Sequence, residues 1–132
     1  MSDLVVDASA VLAALLDAGG GQAAQHMAEL ELAAPHLLPF EVANVVRRQW
    51  SSGALTQPAA HLALDSFAWL DIELWPFEAV ADRVWALRGQ LTSYDASYLA
   101  LAELLSCPLL TGDARLAATA RGVGPGLEVI LV

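Results

Sequence analysis

The sequence contains no lysine, and all six of its basic residues are arginines. Three classes of protein that need a lysine are therefore excluded. P-loop nucleotide hydrolases use a lysine to bind phosphate, and the receiver domains of response regulators carry one beside their acidic pocket. Phosphatases of the haloacid dehalogenase type also need a second aspartate two positions after the first, and after Asp7 this chain has Ser9 at that place.

Cysteine and long apolar runs are scarce as well. The single cysteine, Cys107, has no internal disulfide partner and is expected to be a core thiol. The first residues lack the basic region of a secretion signal, and no apolar run reaches transmembrane length. We therefore expect a single domain, residues 1–132, in the cytoplasm and without a membrane association.

The sequence has few positive charges, 6 against 15 acidic residues, and its formal net charge is −9. A general nucleic-acid coat protein is basic, so that class is excluded, and any nucleic-acid target is expected to be small and folded or single-stranded, and to be recognised locally. The hydrophobic share of 57% exceeds the range of about 45–50% for soluble domains. We expect a partner or self-association to cover part of the apolar surface.

Short apolar runs alternate with helical patterns along the chain. Strands are predicted at residues 4–6, 32–34, 71–75, 108–111 and 127–131, and helices at 10–16, 22–31, 40–50, 56–70, 77–89, 93–105 and 114–120. Gly19-Gly20-Gly21 separates the first two helices, and the helix at 93–105 is apolar on nearly every face, which predicts a central buried helix. The alternation predicts an α/β fold with a mainly parallel sheet and helices on both faces.

Four carboxylates stand where a strand ends or where the next helix begins. Asp7 follows the first strand, Glu41 lies in the first turn after the second, Asp95 opens the buried helix, and Asp113 follows the fourth strand. Helix capping or the helix dipole explains each of them singly. Because these positions share the carboxyl edge of a parallel sheet, where α/β folds bind ligands, at least three of the four are expected to face one crevice.

Crowded carboxylates repel one another, and such clusters usually persist because a cation holds them. The donors are all oxygen atoms, with no His or Cys in the same blocks, which favours Mg²⁺ or Mn²⁺ over Zn²⁺ and suits phosphodiester hydrolysis. Ser9, Asn44 and Thr111 are small polar residues at the same edge. They are predicted either to orient the ligands or to serve ordinary capping and turns.

The remaining polar and aromatic residues carry weaker signals. Three arginines, Arg47, Arg48 and Arg115, lie near the acidic blocks. They are predicted either to contact the phosphates of a nucleic acid or to lie on an ordinary solvated helix face. For the four tryptophans, core packing or a partner interface is favoured over base stacking. The three histidines show no ligand spacing and are assigned no role.

Four blocks of the sequence, in this order, resemble the signature blocks of PIN-domain ribonucleases: VVDASAVLAALL (5–16), PFEVANVVRR (39–48), SYDASYLALAELL (93–105) and LLTGDARLA (109–117). The size and spacing most resemble the VapC toxins of prokaryotic toxin–antitoxin operons. The resemblance implies a three-layer α/β/α sandwich and a Mg²⁺- or Mn²⁺-dependent endoribonuclease. It places the catalytic and metal-binding roles on Asp7, Glu41, Asp95 and Asp113, and it implies a homodimer and a cognate antitoxin that blocks the site.

Two alternatives remain open at this point. One is a PIN-type nuclease that acts in RNA processing or on DNA flaps, although the compact length weighs against it. The other is a non-catalytic interaction module that keeps the acids for structure alone. Residues 50–90 match no motif and leave the choice of target open.

Overall fold

The computed structural model describes residues 1–17 and 21–132. The strands of this part are β1 (Leu4–Val6), β2 (Leu32–Pro35), β3 (Ile72–Trp75), β4 (Leu109–Thr111) and β5 (Val129–Leu131). Its α-helices are α1 (Ala8–Leu16), α2 (Gly21–Met27), α3 (Leu38–Ser51), α4 (Gln57–Trp69), α5 (Ala81–Ala86), α6 (Ser93–Leu105) and α7 (Ala114–Val123). Of the predicted glycine break, Gly19 and Gly20 lie outside the described residues, and Gly21 begins α2.

The five strands form one parallel sheet in the order β3-β2-β1-β4-β5. In its centre, Val5 of β1 pairs with Ala33 of β2 on one side and with Leu109 of β4 on the other. The chain moves outward from β1 to β3 and then returns to place β4 on the opposite side of β1. The strand order therefore reverses between β1 and β4, and open α/β sheets bind ligands at the carboxyl ends of the strands at such a reversal.

Helices cover both faces of the sheet. One group consists of α1, which packs against α2, α3 and α4. The other includes α5 and α6, joined by an ion pair of 3.1 Å between Arg83 Nε and Glu103 Oε1, and Arg83 Nη2 also donates to the carbonyl of Val123 at the end of α7. Right-handed crossovers place the outward and the return connections on opposite faces. The predicted α/β sandwich is confirmed.

The centre of the core consists of β1, β4 and α6. Every residue of β1 and β4 is at most 1% exposed, and α6 buries the seven consecutive residues from Ala96 to Ala102, as its all-round apolar pattern predicts. Full burial of one Val or Leu side chain contributes roughly 1.5–3 kcal/mol. The strand ends that precede Asp7 and Asp113 are therefore firmly anchored. Cys107 is a buried free thiol, as predicted.

Two predicted helices are wrong in their extent. In place of one helix over residues 77–89, the chain has a 3₁₀ turn, Phe77–Ala79, followed by the short α5, and Val80 between them leaves the helical region with φ −123° and ψ 0°. The second helix ends at Met27 and not at residue 31, because Glu29 adopts a positive φ of 62°. A right-handed helix cannot continue through that conformation.

The surface retains large apolar side chains. Trp50, Trp69 and Trp85 are exposed by 53%, 89% and 67%, so core packing is wrong for these three and the interface interpretation stays a prediction. Over residues 1–17 and 21–132, none of the helices has the length and apolar character needed to cross a membrane.

Candidate active site

Asp7 lies directly after β1 and is 4% exposed. Its Oδ1 accepts hydrogen bonds from the backbone N–H of Ala10 at 2.9 Å and from Ser9 Oγ at 2.6 Å. The first of these bonds caps α1, which starts two residues earlier than predicted for that reason. Burial raises the pKa of the Asp7 carboxyl, although the bonds from Ser9, Thr111 and Ala10 oppose the rise.

Two hydroxyl groups join the ends of β1 and β4. Thr111 Oγ1 donates to Asp7 Oδ2 at 2.5 Å and accepts from the backbone N–H of Asp113 at 3.0 Å. Ser9 Oγ donates to Asp7 and accepts from the backbone N–H of Gly112 at 2.8 Å. Both hydroxyls thus connect a backbone donor after β4 to the carboxylate after β1. Ser9 and Thr111 contact Asp7 directly, which is the position of residues that orient a ligand.

Asp113 follows β4 and caps α7. Its Oδ1 accepts from the backbone N–H groups of Arg115 at 2.9 Å and Leu116 at 3.2 Å. The capping interpretation therefore holds for Asp7 and for Asp113. A carboxylate has about four lone-pair positions, so a cap of this kind leaves room for a second partner.

Glu41 and Asp95 are half-buried acids in the first turns of α3 and α6, and neither caps its helix. Glu41 Oε1 instead accepts from the hydroxyl of Tyr98 at 2.5 Å. The start of α6 is capped by Thr92, whose Oγ1 accepts from the backbone N–H of Asp95. The side chain of Asp95 therefore does not cap the helix. Capping does not explain these two carboxylates.

The charges of neighbouring acids act on the carboxyls of Asp7, Glu41 and Asp95. Burial raises the pKa of Glu41 and the charges of Asp95 and Asp7 raise it further. Burial and the charge of Asp113 raise the pKa of Asp95, while Arg115 lowers it. The charge of Asp113 also raises the pKa of Asp7. The acids therefore lie near enough at the carboxyl edge of the sheet to resist simultaneous ionisation.

Three of the four acids line clefts at the surface, and a crevice shared by at least three of them stays a prediction. Glu41 lines a cleft of about 550 Å³ together with Asn44 and Arg47, whereas Asp95 and Asp113 line a smaller cleft of about 130 Å³. In residues 1–17 and 21–132, no three His, Cys, Asp or Glu side chains are arranged to hold a metal ion. Repulsion between like charges favours rotamers that hold the carboxylates apart.

Asn44 differs from the other two predicted orienting residues. It is exposed, and its Oδ1 accepts from Arg47 Nε at 3.3 Å. Its role toward the carboxylates stays a prediction.

Three residues near the acids escaped the sequence reasoning. Tyr98 is 1% exposed and donates a hydrogen bond to Glu41 from α6. Its position three residues after Asp95, on the same helix face, could have identified it as a site residue from the sequence. Phe40 and Tyr94 are exposed by 77% and 62% in the cleft beside Glu41. Each immediately precedes one of the acids in the sequence.

Comparison with known proteins supports the resemblance seen in the sequence. Residues 4–122 match the PIN domain family. The chain is 42% identical to ribonuclease VapC9 of Mycobacterium tuberculosis over 122 residues, which cover 92% of this chain and 94% of that relative. The chain belongs to the VapC ribonucleases of the PIN-domain family.

Two further likenesses cover the whole domain. Ribonuclease VapC1 of Mycobacterium tuberculosis is 40% identical over 100% of this chain and 99% of its own length. The crystal structure of PAE2754 from Pyrobaculum aerophilum matches the fold with a TM-score of 0.70 and 29% identity, over 98% of this chain and 84% of that one. The similarity in sequence and in fold thus extends over essentially the whole chain.

Proposed function

We propose that the protein is the endoribonuclease toxin of a toxin–antitoxin pair, and that Asp7, Glu41, Asp95 and Asp113 act together on an RNA phosphodiester with Mg²⁺ or Mn²⁺. Family membership supports the ribonuclease activity. The observation that carries the catalytic assignment is the placement of four carboxylates after the strands and in the first helical turns of one parallel sheet, two of them without a capping task. A cytoplasmic location, where RNA is available as a substrate, is part of this proposal.

The donor set fits a hard divalent cation. It consists of carboxylate and hydroxyl oxygens, which Mg²⁺ and Mn²⁺ prefer, and the acids repel one another unless a positive charge lies between them. A bound cation supplies positive charge at the scissile phosphate and acidifies nearby water. The chain itself fixes the orientation of the Asp7 carboxylate, because Ser9 donates a hydrogen bond to one of its oxygens and Thr111 donates one to the other.

Millimolar Mg²⁺ or Mn²⁺ is expected to raise the melting temperature, and the rise should shrink as the pH falls from 7.5 to about 5. A site that is filled only in the folded state contributes RT ln(1 + [L]/Kd), or about 2.7 kcal/mol when the ion is at a hundred times its Kd. The folded-state pKa values of Asp7, Glu41 and Asp95 are raised. The cation-free fold therefore gains stability as the pH falls through those values, and protons displace the ion.

Differential scanning fluorimetry at matched ionic strength separates site binding from salt screening. An equal melting temperature with Na⁺ and with Mg²⁺ or Mn²⁺ at pH 7.5, or RNA cleavage that persists after complete metal depletion, contradicts the proposal. The first result would favour the non-catalytic interaction module.

The proposed partners are an antitoxin and a second copy of the chain. Exposed apolar side chains such as Trp50 and Leu64 line a groove of about 270 Å³ between α3 and α4, and the net charge of −9 favours a basic partner. When the protein is purified from its native operon, a small basic protein should co-elute. Light scattering that finds only a monomer without a bound partner contradicts this proposal.

A further inference from the structure

The cleft beside Glu41 carries two aromatic side chains in water. Phe40 and Tyr94 are exposed by 77% and 62%, and they line the same cleft of about 550 Å³. That volume lies within the range of about 300–1,000 Å³ that small-ligand sites occupy. Two exposed aromatic rings that line one cleft offer their faces to a flat apolar group.

The two aromatic residues are tied to the acids through the backbone. Phe40 precedes Glu41 in α3, and Tyr94 precedes Asp95 in α6. At the start of α6, Tyr94 lines the cleft beside Glu41, whereas the next residue, Asp95, lines the smaller cleft. The cleft that holds the two rings is therefore also lined by one of the acids, Glu41, and by the residue that precedes Asp95.

Each of the two clefts also contains an arginine. Arg47 lines the larger cleft and Arg115 the smaller one. Within residues 1–17 and 21–132, neither arginine forms a salt bridge, whereas Arg83 is paired with Glu103. In a protein of net charge −9, a guanidinium group without an ion pair in each of the two clefts is suited to hold the phosphates of a strand that crosses the acids.

We propose that the cleft of Phe40, Tyr94 and Arg47 binds an unpaired nucleotide of the RNA next to the scissile phosphate. The base stacks on the aromatic rings and its phosphate pairs with Arg47. The strand then passes the carboxylates toward Arg115. This assignment rests on the proposed function, and it requires that the nucleotide in the cleft is unpaired, because a base inside a duplex does not offer its face for stacking.

Binding of a short fluorescein-labelled single-stranded RNA tests the cleft without cleavage if all variants are made in the Asp95→Asn background. Phe40→Leu and Tyr94→Leu retain apolar bulk and lose the ring face, so each is expected to weaken binding about tenfold. Trp69→Leu is the matched control, because Trp69 is 89% exposed on α4 and lies outside the cleft. Arg47→Gln is expected to reduce the salt slope of binding by about one.

The results distinguish this assignment from the proposed function. If the parent variant binds single-stranded RNA and both leucine variants bind as well as the Trp69→Leu control, the cleft assignment alone is overturned. It is also overturned if the leucine variants bind RNA normally but no longer hold the co-purified antitoxin, since the cleft is then a protein-docking site. If the parent variant binds neither single-stranded nor duplex RNA, the proposed function and the cleft assignment are both wrong.

Discussion

Replacement of Asp95 by asparagine should remove RNA cleavage and leave the fold unchanged. Loss of one preorganised group that stabilises the transition state typically costs about 10²–10³ in rate, and we expect at least a hundredfold loss here. The fold should persist because Thr92, not Asp95, caps α6. Asparagine also removes a carboxylate whose ionisation burial and Asp113 oppose. The melting temperature without cations should therefore not fall.

Initial cleavage rates on a labelled RNA and thermal melts measure the two parts of this prediction. Asp82→Asn is the matched control, since Asp82 is an exposed acid in the first turn of α5, and it should cleave at the wild-type rate. Mapping of RNA ends after brief induction of wild type and Asp95→Asn in cells would also identify the target. An Asp95→Asn variant that cleaves as fast as wild type would falsify the catalytic assignment.

Replacement of Thr111 by valine should destabilise the protein at neutral pH by about 1.5–3 kcal/mol, the usual range for a hydrogen bond to a charged group. Thr111 is fully buried and donates to Asp7 while it accepts from the N–H of Asp113. Valine keeps its shape and leaves both partners without that bond. The cost should decrease below the raised pKa of Asp7, where the carboxyl is protonated and no longer needs a donor for a charge.

Urea unfolding at pH 7.5 and near pH 5 measures this dependence, and Thr111→Ser, which retains the hydroxyl, is the control. In the Asp7→Asn background the cost of Thr111→Val should be smaller, because the buried charge is gone. Equal costs in the two backgrounds would show that Thr111 acts through packing and not through Asp7. Thr111→Val should also weaken the thermal response to Mg²⁺, because Asp7 is held less firmly.

The sequence is most informative where one physical demand dominates. The strands β1 and β4 lie in the middle of a parallel sheet and must be apolar on both faces, so Leu4-Val5-Val6 and Leu109-Leu110 are recognisable without a structure. The same holds for α6, which is enclosed on nearly every side. The positions of the four acids follow from these elements, because each acid stands at a strand end or a helix start.

The division of the site into two clefts is not visible in the sequence. It depends on the rotation of α6, which turns Tyr94 and Asp95 in different directions, and on the side-chain bond that brings Tyr98 to Glu41 across 57 positions of the chain. The break at Val80 was missed for a related reason. Val80, Val84 and Leu87 are buried as a helical face requires. The apolar pattern is therefore that of one continuous helix, although the helical backbone is interrupted at Val80.

The hydroxyl groups of Ser9 and Thr111, which join the ends of β1 and β4, can take their places only late in synthesis. Thr111 and Asp7 are 104 positions apart, and Ser9 and Thr111 are 102 apart, so β1 acquires these partners only after almost the whole chain has left the ribosome. A contact of such separation also forms late in folding, because a long loop must close first. An unfinished chain that ends before β4 lacks Thr111 and Asp113 and leaves Asp7 without its support. Translation products that end before β4 are therefore expected not to cleave RNA if Asp7, Thr111 and Asp113 act as proposed.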